Sequence, residues 1–301
     1  MPSTFTTALH RGPLLLDGGL ATTLEAMGHD LRDPLWSAKL LFEDPEAIVS
    51  AHRTFADAGA EVLTTASYQA SLPGLRARGF DEVAAAELLT LSTSLARRAV
   101  AGRPIWVAAS AGPYGAFLAD GSEYRGDYGV DLKTLVEFHR GRLPALASAD
   151  VIAFETVPCR LEAEAIAQAC DVLPPEQPVW VSFSARDDAY ACSGEAIELC
   201  VASVLANPRV AAVGINCTAP EHVQGLLRRI GAITDLPLVA YPNAGRRYDD
   251  GAWHGNPIDP AVFGQLTRSW IAEGARLIGG CCQIGCSHLQ AAHEALQRCG
   301  A

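Results

Sequence analysis

Lysine is nearly absent from this 301-residue sequence, which contains only Lys39 and Lys133. We predict that both lysines lie in helices or at the starts of helices. An enzyme that forms a Schiff base needs a lysine amine at the end of a strand, so that class of enzyme is disfavoured. No G-x-G-x-x-G pattern follows a predicted strand either, and a Rossmann-type nucleotide site is therefore not expected.

Positive charge is also scarce, because 23 lysines and arginines face 34 acidic residues and give a net charge of −11. This balance disfavours a nucleic acid or an anionic membrane as a partner. The first ten residues contain no apolar segment typical of a signal peptide, and the nearby run Leu14-Leu15-Leu16 is too short to span a membrane. We therefore expect a cytoplasmic protein, in a compartment that keeps thiols reduced.

Nine cysteines are present, all of them between residues 159 and 299. An odd number scattered over such a range does not resemble the disulfide framework of a small secreted domain. Metal binding or burial as free thiols is the expected use of these side chains.

Eight short apolar runs alternate with segments of helical spacing. Acidic residues or proline mark several of the predicted helix starts, at Asp44, Asp81, Pro220 and Asp259. Eight consecutive strand and helix units predict a single (β/α)₈ barrel, of the α/β class, that occupies residues 1–301 as one catalytic domain. The predicted strands are Leu14 to Asp17, Val62 to Thr65, Ile105 to Ala109, Val151 to Glu155, Val179 to Phe183, Ala211 to Asn216, Leu238 to Tyr241 and Leu277 to Gly280.

Similar joints between helix and strand begin at Ala60, Ala149, Ala211 and Ala275. Residues at equal distances beyond these alanines should lie at the C-terminal mouth of the barrel, where active sites of this architecture are built. The longest segments without helical spacing, 111–128 and 242–257, should rise from the same mouth as lids or binding surfaces. The sixth residues after the four alanines are Ala66, Glu155, Cys217 and Cys281.

Cys217 ends the sixth predicted strand, whereas Cys281 and Cys282 follow the eighth behind Gly279 and Gly280. Adjacent cysteines in a regular strand point to opposite faces, but the two glycines permit a turn that directs both sulfurs to the barrel axis. Three thiolates at one point favour tetrahedral Zn²⁺ with its fourth position open to a substrate. The sequence therefore predicts a zinc site formed by the three cysteines.

Other interpretations of this region remain open. The three cysteines could be small buried side chains, or the amides of the glycine pair could bind phosphate, as in the last loops of many barrels. A local cluster of Cys282, Cys286 and His288 could also bind a metal without Cys217. We expect Cys286 to be structural, and most of the remaining thiols to be packed: Cys159, Cys170, Cys192, Cys200 and Cys299.

Zinc bound by three thiolates carries a net charge of about −1 and is a weak Lewis acid. Its useful property is to bind a fourth thiol, lower the pKa of that thiol and hold the thiolate in a fixed orientation. The simplest matching reaction transfers a methyl group from a sulfonium to this sulfur. A non-catalytic zinc protein or a redox sensor would use the same cysteines.

Motifs spread over nearly the whole chain resemble the homocysteine S-methyltransferase family. The segment 118–128, LADGSEYRGDY, is most similar to the branch that uses S-methylmethionine. The other motifs are LLDGGLAT at 15–22, LWSAK at 35–39, TASYQA at 65–70, GPYGA at 112–116, ET at 155–156, GINC at 214–217, YPN at 241–243 and GGCC at 279–282.

The resemblance implies that S-methylmethionine and L-homocysteine react to give two methionines, a step of methionine biosynthesis. It places the zinc ligands at Cys217, Cys281 and Cys282, in agreement with the spacing. It also implies that Asp17 and Glu155 bind the homocysteine ammonium group, although acids at such joints often cap helices or form turns. Related sequences often have a basic residue after the cysteine pair, where this chain has Gln283.

The methyl donor is the second part of this expectation. A sulfonium cation would be attracted by aromatic faces near the mouth. S-adenosylmethionine is expected to be a poorer donor, and a betaine-dependent enzyme is the alternative. A folate-dependent enzyme would need a second large domain, for which the barrel leaves no residues. The candidate aromatic residues for the sulfonium are Trp36, Tyr114, Phe117 and Tyr124.

Overall fold

The computed structural model describes residues 4–245, 247–249 and 252–299. Eight parallel strands form a sheet in the order β1-β10-β7-β6-β5-β4-β3-β2, and a backbone bridge between Leu16 and Val62 joins its two edges. The predicted (β/α)₈ barrel is thereby confirmed. The strands are β1 (Leu14–Leu15), β2 (Val62–Thr64), β3 (Trp106–Ala111), β4 (Val151–Val157), β5 (Val179–Phe183), β6 (Val210–Asn216), β7 (Leu238–Tyr241) and β10 (Ala275–Ile278), with an antiparallel hairpin of β8 (Arg247–Asp249) and β9 (Ala252–His254).

Helices surround the barrel and begin where the sequence places capping residues. Asp44, Asp81 and Asp259 each accept a hydrogen bond from a backbone N–H in the first turn, and Pro220 occupies the first turn of its helix. The α-helices are α1 (Phe5–Arg11), α2 (Leu20–Ala26), α3 (Leu40–Glu43), α4 (Pro45–Asp57), α5 (Leu72–Ala77), α6 (Glu82–Ala99), α7 (Tyr114–Leu118), α8 (Leu132–Leu146), α9 (Arg160–Ala169), α10 (Ile197–Leu205), α11 (Pro220–Gly231), α12 (Pro260–Ala272) and α13 (Cys286–Cys299), with 3₁₀ turns at Trp36–Lys39, Ser122–Tyr124 and Cys170–Val172.

Two expectations about the loops need correction. The segment 111–128 is not free of helix, because it contains α7 and the 3₁₀ turn Ser122–Tyr124. The segment 242–257 contains the β8–β9 hairpin, and its residues 246, 250 and 251 lie outside the described part of the chain. Within the described residues, no helix has both the length and the apolar character needed to cross a membrane.

The inside of the barrel is closed at its N-terminal end by α1. Phe5 and Leu9 of this helix are buried in the same interior cluster as Leu16, Val62 and Trp180. The Phe5 ring lies 6.1 Å from the ring of Trp180. Because this end is filled by apolar side chains, a polar ligand is left with the C-terminal mouth of the barrel as its entrance.

The segment between β3 and α8, residues 112–131, is held over the mouth by one buried carboxylate. Glu162 of α9 is fully buried, and its Oε1 accepts a hydrogen bond from the backbone N–H of Tyr114 at 2.6 Å. Its Oε2 accepts a hydrogen bond from the hydroxyl of Tyr128 at 2.5 Å. One side chain therefore fixes both the beginning and the end of this segment.

Two basic side chains of α8 complete the network around Glu162. His139 Nε2 lies 3.0 Å from Glu162 Oε1, and His139 Nδ1 lies 2.9 Å from Arg142 Nη2. Since an arginine only donates, Nδ1 of this histidine accepts and Nε2 donates to the carboxylate. Arg142 also donates to the carbonyl of Gly112, the first residue of the segment. Buried charged groups such as Glu162 and Arg142 are stable inside a protein only while their partners are present.

We expect Glu162→Ala to lower the free energy of unfolding by roughly 3–5 kcal/mol, because it leaves His139 and the N–H of Tyr114 without their acceptor and removes the carboxylate whose charge acts on the buried Arg142. The matched control is Glu164→Ala, which removes a partly exposed carboxylate paired with Arg160 at the surface and should cost less than about 1 kcal/mol. Urea unfolding followed by circular dichroism measures both. Equal losses in the two variants would contradict the anchoring role of Glu162.

Candidate metal centre

Three cysteine sulfurs converge at the mouth of the barrel. Cys217 directly follows β6, whereas Cys281 and Cys282 lie in the turn beyond β10. All three Sγ atoms lie within 4.8 Å of one another. The end of β7 holds both cysteine segments, because the N–H of Cys217 donates to the carbonyl of Tyr241 and the N–H of Cys281 donates to that of Pro242.

The sequence suggested that the glycine pair makes the turn that brings the adjacent cysteines together. In the structure, another residue makes this turn. The left-handed residue of this turn is Gln283, with φ of 65°. Gly279 instead provides space, since a Cβ there would lie 2.5 Å from the Cβ of Leu16, and a Cβ at Gly280 would overlap the side chain of Ile284. The two glycines are therefore required for close packing of β10 against β1 and of the turn against itself.

Two of the three sulfur–sulfur separations agree with a tetrahedral thiolate site. Cys282 Sγ lies 3.9 Å from Cys217 Sγ and 3.9 Å from Cys281 Sγ. Zinc–sulfur bonds of about 2.3 Å at tetrahedral angles separate two sulfurs by about 3.8 Å. The third pair, Cys217 and Cys281, is joined in a disulfide, with a Cα–Cα distance of 5.5 Å.

This disulfide differs from the expectation that the cysteines are free thiols. The disulfide forms because the sulfurs of Cys217 and Cys281 converge at one point. Sulfurs that are close enough to share a metal can also bond to each other when no metal separates them. Cys282 remains a free thiol, and burial, followed by the nearby charges of Glu25, Glu155 and Glu123, raises its pKa to about 12. Metal binding therefore requires both reduction of the disulfide and loss of the Cys282 proton.

The alternative uses of these residues find no support. Cys286 Sγ lies 3.6 Å from the carbonyl of Thr54, and His288 Nε2 lies 2.9 Å from the carbonyl of Ile258, so neither faces Cys282 as a ligand. Among the described His, Cys, Asp and Glu residues, the trio at the mouth is the one group arranged to hold a metal. Phosphate binding by the glycine pair is also disfavoured, because both amides already donate to backbone carbonyls.

Two buried carboxylates lie near the sulfurs. Asp17 is 2% exposed and accepts hydrogen bonds from the N–H and the hydroxyl of Thr64, at 2.7 and 2.9 Å. Glu155 is 8% exposed and accepts from the hydroxyls of Ser110 and Tyr241. Neither carboxylate has an ion-pair partner among the described residues. The structure thus places both predicted substrate-binding acids inside the mouth.

Burial decides the protonation of this pair. It raises the pKa of Asp17 well above its usual range, and the charge of Glu155 adds to the increase, while the hydrogen bonds from Thr64 oppose it. Burial likewise raises the pKa of Glu155, against the hydrogen bonds from Ser110 and Tyr241. A cation between these carboxylates would favour their charged forms.

Residues with positive φ surround the centre. Cys217 has φ of 46° and Thr156 has φ of 62°. A β-branched residue rarely adopts this conformation, and here the side chain of Asn216 compensates by accepting from the N–H of Thr156 at 2.6 Å and donating to its hydroxyl at 2.8 Å. Such strain is typical of functional sites.

The predicted aromatic group separates into two sets. Tyr114 and Phe117 pack against Phe138, so they support the segment 112–131 from below. Trp36 instead packs against the ring of Tyr68. Burial raises the pKa of Tyr68 well above its usual range, and the charges of Tyr124, Glu123 and Glu155 add to the increase, so this phenol belongs to the mouth.

Tyr68 and Tyr241 were not predicted as site residues. Tyr241 hydrogen bonds to both Glu155 and Ser182 at the centre of the barrel. The position of both tyrosines in the sequence could have identified them, since each lies in or just beyond a strand that ends at the mouth. Tyr68 belongs to the motif TASYQA at 65–70, and Tyr241 belongs to the motif YPN at 241–243.

A pocket of thiols and buried carboxylates at the C-terminal mouth of a (β/α)₈ barrel defines the molecule as a barrel enzyme with a metal-binding type of active site. Residues 14–296 match the sequence model of the protein family described as homocysteine S-methyltransferase. The chain therefore belongs to the homocysteine S-methyltransferase family.

Individual relatives agree with this assignment. The homocysteine S-methyltransferase of Escherichia coli K12 is 45% identical to this chain, and the alignment covers 90% of this chain and 91% of the relative. A selenocysteine Se-methyltransferase of Brassica oleracea var. italica is 42% identical, over 95% of this chain and 89% of its own.

Solved structures show the same likeness. The metallated form of the Escherichia coli homocysteine methyltransferase MmuM superimposes with a TM-score of 0.82 at 42% identity, covering 93% of this chain and 95% of its own. Its oxidized form superimposes with a TM-score of 0.84 at 42% identity, covering 94% and 95%.

The raised pKa of Asp17 makes a prediction for stability. Above pH 3.8 the unfolded chain releases this proton while the folded chain retains it, so the stability contributed by Asp17 falls as the pH rises towards the folded pKa. We expect Asp17→Asn to become progressively more stable than the wild type between pH 4 and pH 7.5. The exposed control Asp57→Asn should differ by less than about 1 kcal/mol throughout. Thermal unfolding at several pH values measures the difference, and a constant Asp17→Asn offset would refute the assignment.

Proposed function

We propose that this protein is a zinc-dependent enzyme that transfers a methyl group from S-methylmethionine to the thiolate of L-homocysteine and so forms methionine. S-adenosylmethionine is proposed as a poorer donor. The observation that carries the proposal is the convergence of Cys217, Cys281 and Cys282 beside two buried carboxylates without cationic partners. The whole chain, residues 1–301, is proposed as one catalytic domain.

Zinc suits the donor set better than harder metals. Three thiolates are soft ligands, and the 3.9 Å sulfur separations match the tetrahedral geometry that zinc adopts with such ligands. When bound, zinc would lower the pKa of a substrate thiol and keep its sulfur nucleophilic. Because the centre needs thiolates, the proposal includes a reducing, cytoplasmic setting.

Asp17 and Glu155 are proposed to bind the ammonium group of homocysteine. Both are buried and both have raised pKa values, so burial disfavours their charged forms. An ammonium ion restores these forms and is itself compensated by them. Thr64, Ser110 and Tyr241 hold the carboxylates in place by hydrogen bonds.

The reaction involves no change of oxidation state and therefore requires no oxidant. The homocysteine thiol must lose its proton before it attacks. The homocysteine sulfur attacks the methyl carbon of the sulfonium, a new C–S bond forms, and the old C–S bond breaks with its electron pair left on the donor sulfur. Positive charge on the donor sulfur disappears in this step. Two neutral thioethers result, and with S-methylmethionine both products are methionine.

Several observations support a sulfonium donor. The relatives named above include homocysteine methyltransferases that match nearly the whole chain, and the mouth carries both acidic and aromatic side chains. The selenocysteine Se-methyltransferase relative suggests that a selenol can also be accepted, since selenium is softer than sulfur. Betaine remains the alternative donor.

A donor comparison tests the reaction directly. Purified, reduced, zinc-loaded enzyme is given homocysteine with S-methylmethionine, S-adenosylmethionine or betaine, and methionine is measured by chromatography. We expect kcat/KM to be highest for S-methylmethionine and measurable but lower for S-adenosylmethionine. Methionine formed from betaine alone would refute the proposed donor class.

A pair of cysteine variants tests the metal site. Cys217→Ala should lose bound zinc and turnover, because two thiolates leave the site incomplete. Cys286→Ala is the matched control, since this thiol faces Thr54, and it should retain close to one zinc and near-normal activity. Metal analysis after reduction measures the content of each protein. Full activity in zinc-free Cys217→Ala would end the proposal.

The disulfide between Cys217 and Cys281 favours one second candidate, a redox-sensing thiol protein without catalysis. X-ray absorption separates the two functions. The enzyme should gain a fourth sulfur ligand at zinc when homocysteine is added to the reduced protein. An unchanged coordination shell together with absent turnover would instead support the sensor.

A further inference from the structure

One carboxylate at the mouth has no role in the function proposed above. Glu123 lies in the 3₁₀ turn Ser122–Tyr124 of the segment that Glu162 anchors. The turn is rigidly placed: Ser122 is 1% exposed, and a Cβ added at Gly115 would overlap the backbone of Glu123. The position of the Glu123 side chain is therefore built into the fold.

One oxygen of the Glu123 carboxylate is buried without a partner. Its Oε2 is inaccessible to solvent and has no hydrogen-bond partner in the structure. No ion pair joins Glu123 to another side chain within the described ranges. Arg125, the cation nearest to it in the turn, is paired with Asp120 and Asp127 instead. A buried carboxylate oxygen left in this state carries a desolvation cost that a cationic ligand would offset.

The turn that carries this carboxylate packs against β4, the strand that carries Glu155. The charge of Glu123 also contributes, after the effect of burial, to the raised pKa values of the phenols of Tyr124 and Tyr68. Glu123 therefore lies on the Glu155 side of the mouth, and it reaches that side from the segment after β3, whereas Asp17 and Glu155 come from the ends of barrel strands.

The ammonium group of the methyl donor has no partner in the function proposed above. Homocysteine brings one ammonium group, which Asp17 and Glu155 bind in the proposed function, on which this step rests. S-methylmethionine brings both a sulfonium and an ammonium group. The sulfonium loses its charge in the transition state, so a carboxylate against it would stabilise the bound donor more than the transition state and slow the reaction. The ammonium keeps its charge, and a carboxylate can bind it without that penalty.

We propose that Glu123 binds the α-ammonium group of the methyl donor and thereby selects sulfonium donors that are amino acids. The aromatic faces of Tyr68 and Tyr124 are left for the sulfonium, which they attract without a full opposing charge. Betaine has no ammonium group that carries N–H donors, so this residue disfavours it as a donor.

The test compares S-methylmethionine with its desamino analogue, which has the same sulfonium and carboxylate but no amino group. In the zinc-loaded enzyme, Glu123→Gln should lower kcat/KM for S-methylmethionine by at least about tenfold, the effect of losing one buried charge pair. The same variant should change kcat/KM for the desamino analogue less than about twofold. KM for homocysteine and zinc content should remain at wild-type values.

Two further variants complete the experiment. Asp120→Asn removes an exposed carboxylate from the same segment and should leave both donors unaffected. Glu123→Asp retains the charge, and it provides a second test if Glu123→Gln folds poorly. It should keep more S-methylmethionine activity than Glu123→Gln.

Three outcomes would overturn the assignment of Glu123. They are an unchanged kcat/KM for S-methylmethionine in Glu123→Gln, an equal loss with both donors, and equal use of both donors by the wild type. Failure of the proposed function has a different signature, because the wild-type enzyme would then transfer no methyl group from either sulfonium.

Discussion

The whole site depends on closure of the parallel sheet. The bridge between Leu16 and Val62 joins the two edges of the barrel, and closure requires the C-terminal ends of all eight strands to meet around one opening. Cys217 after β6 and the cysteine pair after β10 are separated by a single strand, β7, in the sheet order. Backbone hydrogen bonds from both cysteine segments to the end of β7 convert this neighbourhood in the sheet into sulfur separations of 3.9 Å.

Much of this arrangement could be predicted from the sequence, because it follows from periodicity and strand ends. The eight apolar runs correspond to the eight barrel strands, and Asp44, Asp81 and Asp259 cap the helices that they were expected to begin. The convergence of the three cysteines followed from the same reasoning, since residues just past parallel strands of a barrel share one mouth. These features depend on the pattern of a segment and not on a particular side-chain contact.

The features that could not be predicted depend on contacts between distant segments. Gln283 adopts the left-handed conformation of the turn, whereas Gly280 packs against Ile284, so the glycine pair indicated a turn but not which residue makes it. Tyr241 is one of several apolar residues in its strand, and its role becomes visible only when its hydroxyl reaches Glu155, 86 residues away in the chain. The disulfide likewise depends on the closeness of two sulfurs in space.

The electrostatics of the mouth favour a cationic ligand. Asp17, Glu155 and Glu123 are carboxylates with raised pKa values due first to burial, and none has an ion-pair partner among the described residues. A zinc centre with three thiolates would add further negative charge. Such a pocket is unfavourable when empty, and each cationic group that enters relieves part of that cost. In the proposed reaction, substrate binding energy would therefore serve to ionise and align these acids, and the thioether formed from the donor would bind with one positive charge fewer than the sulfonium.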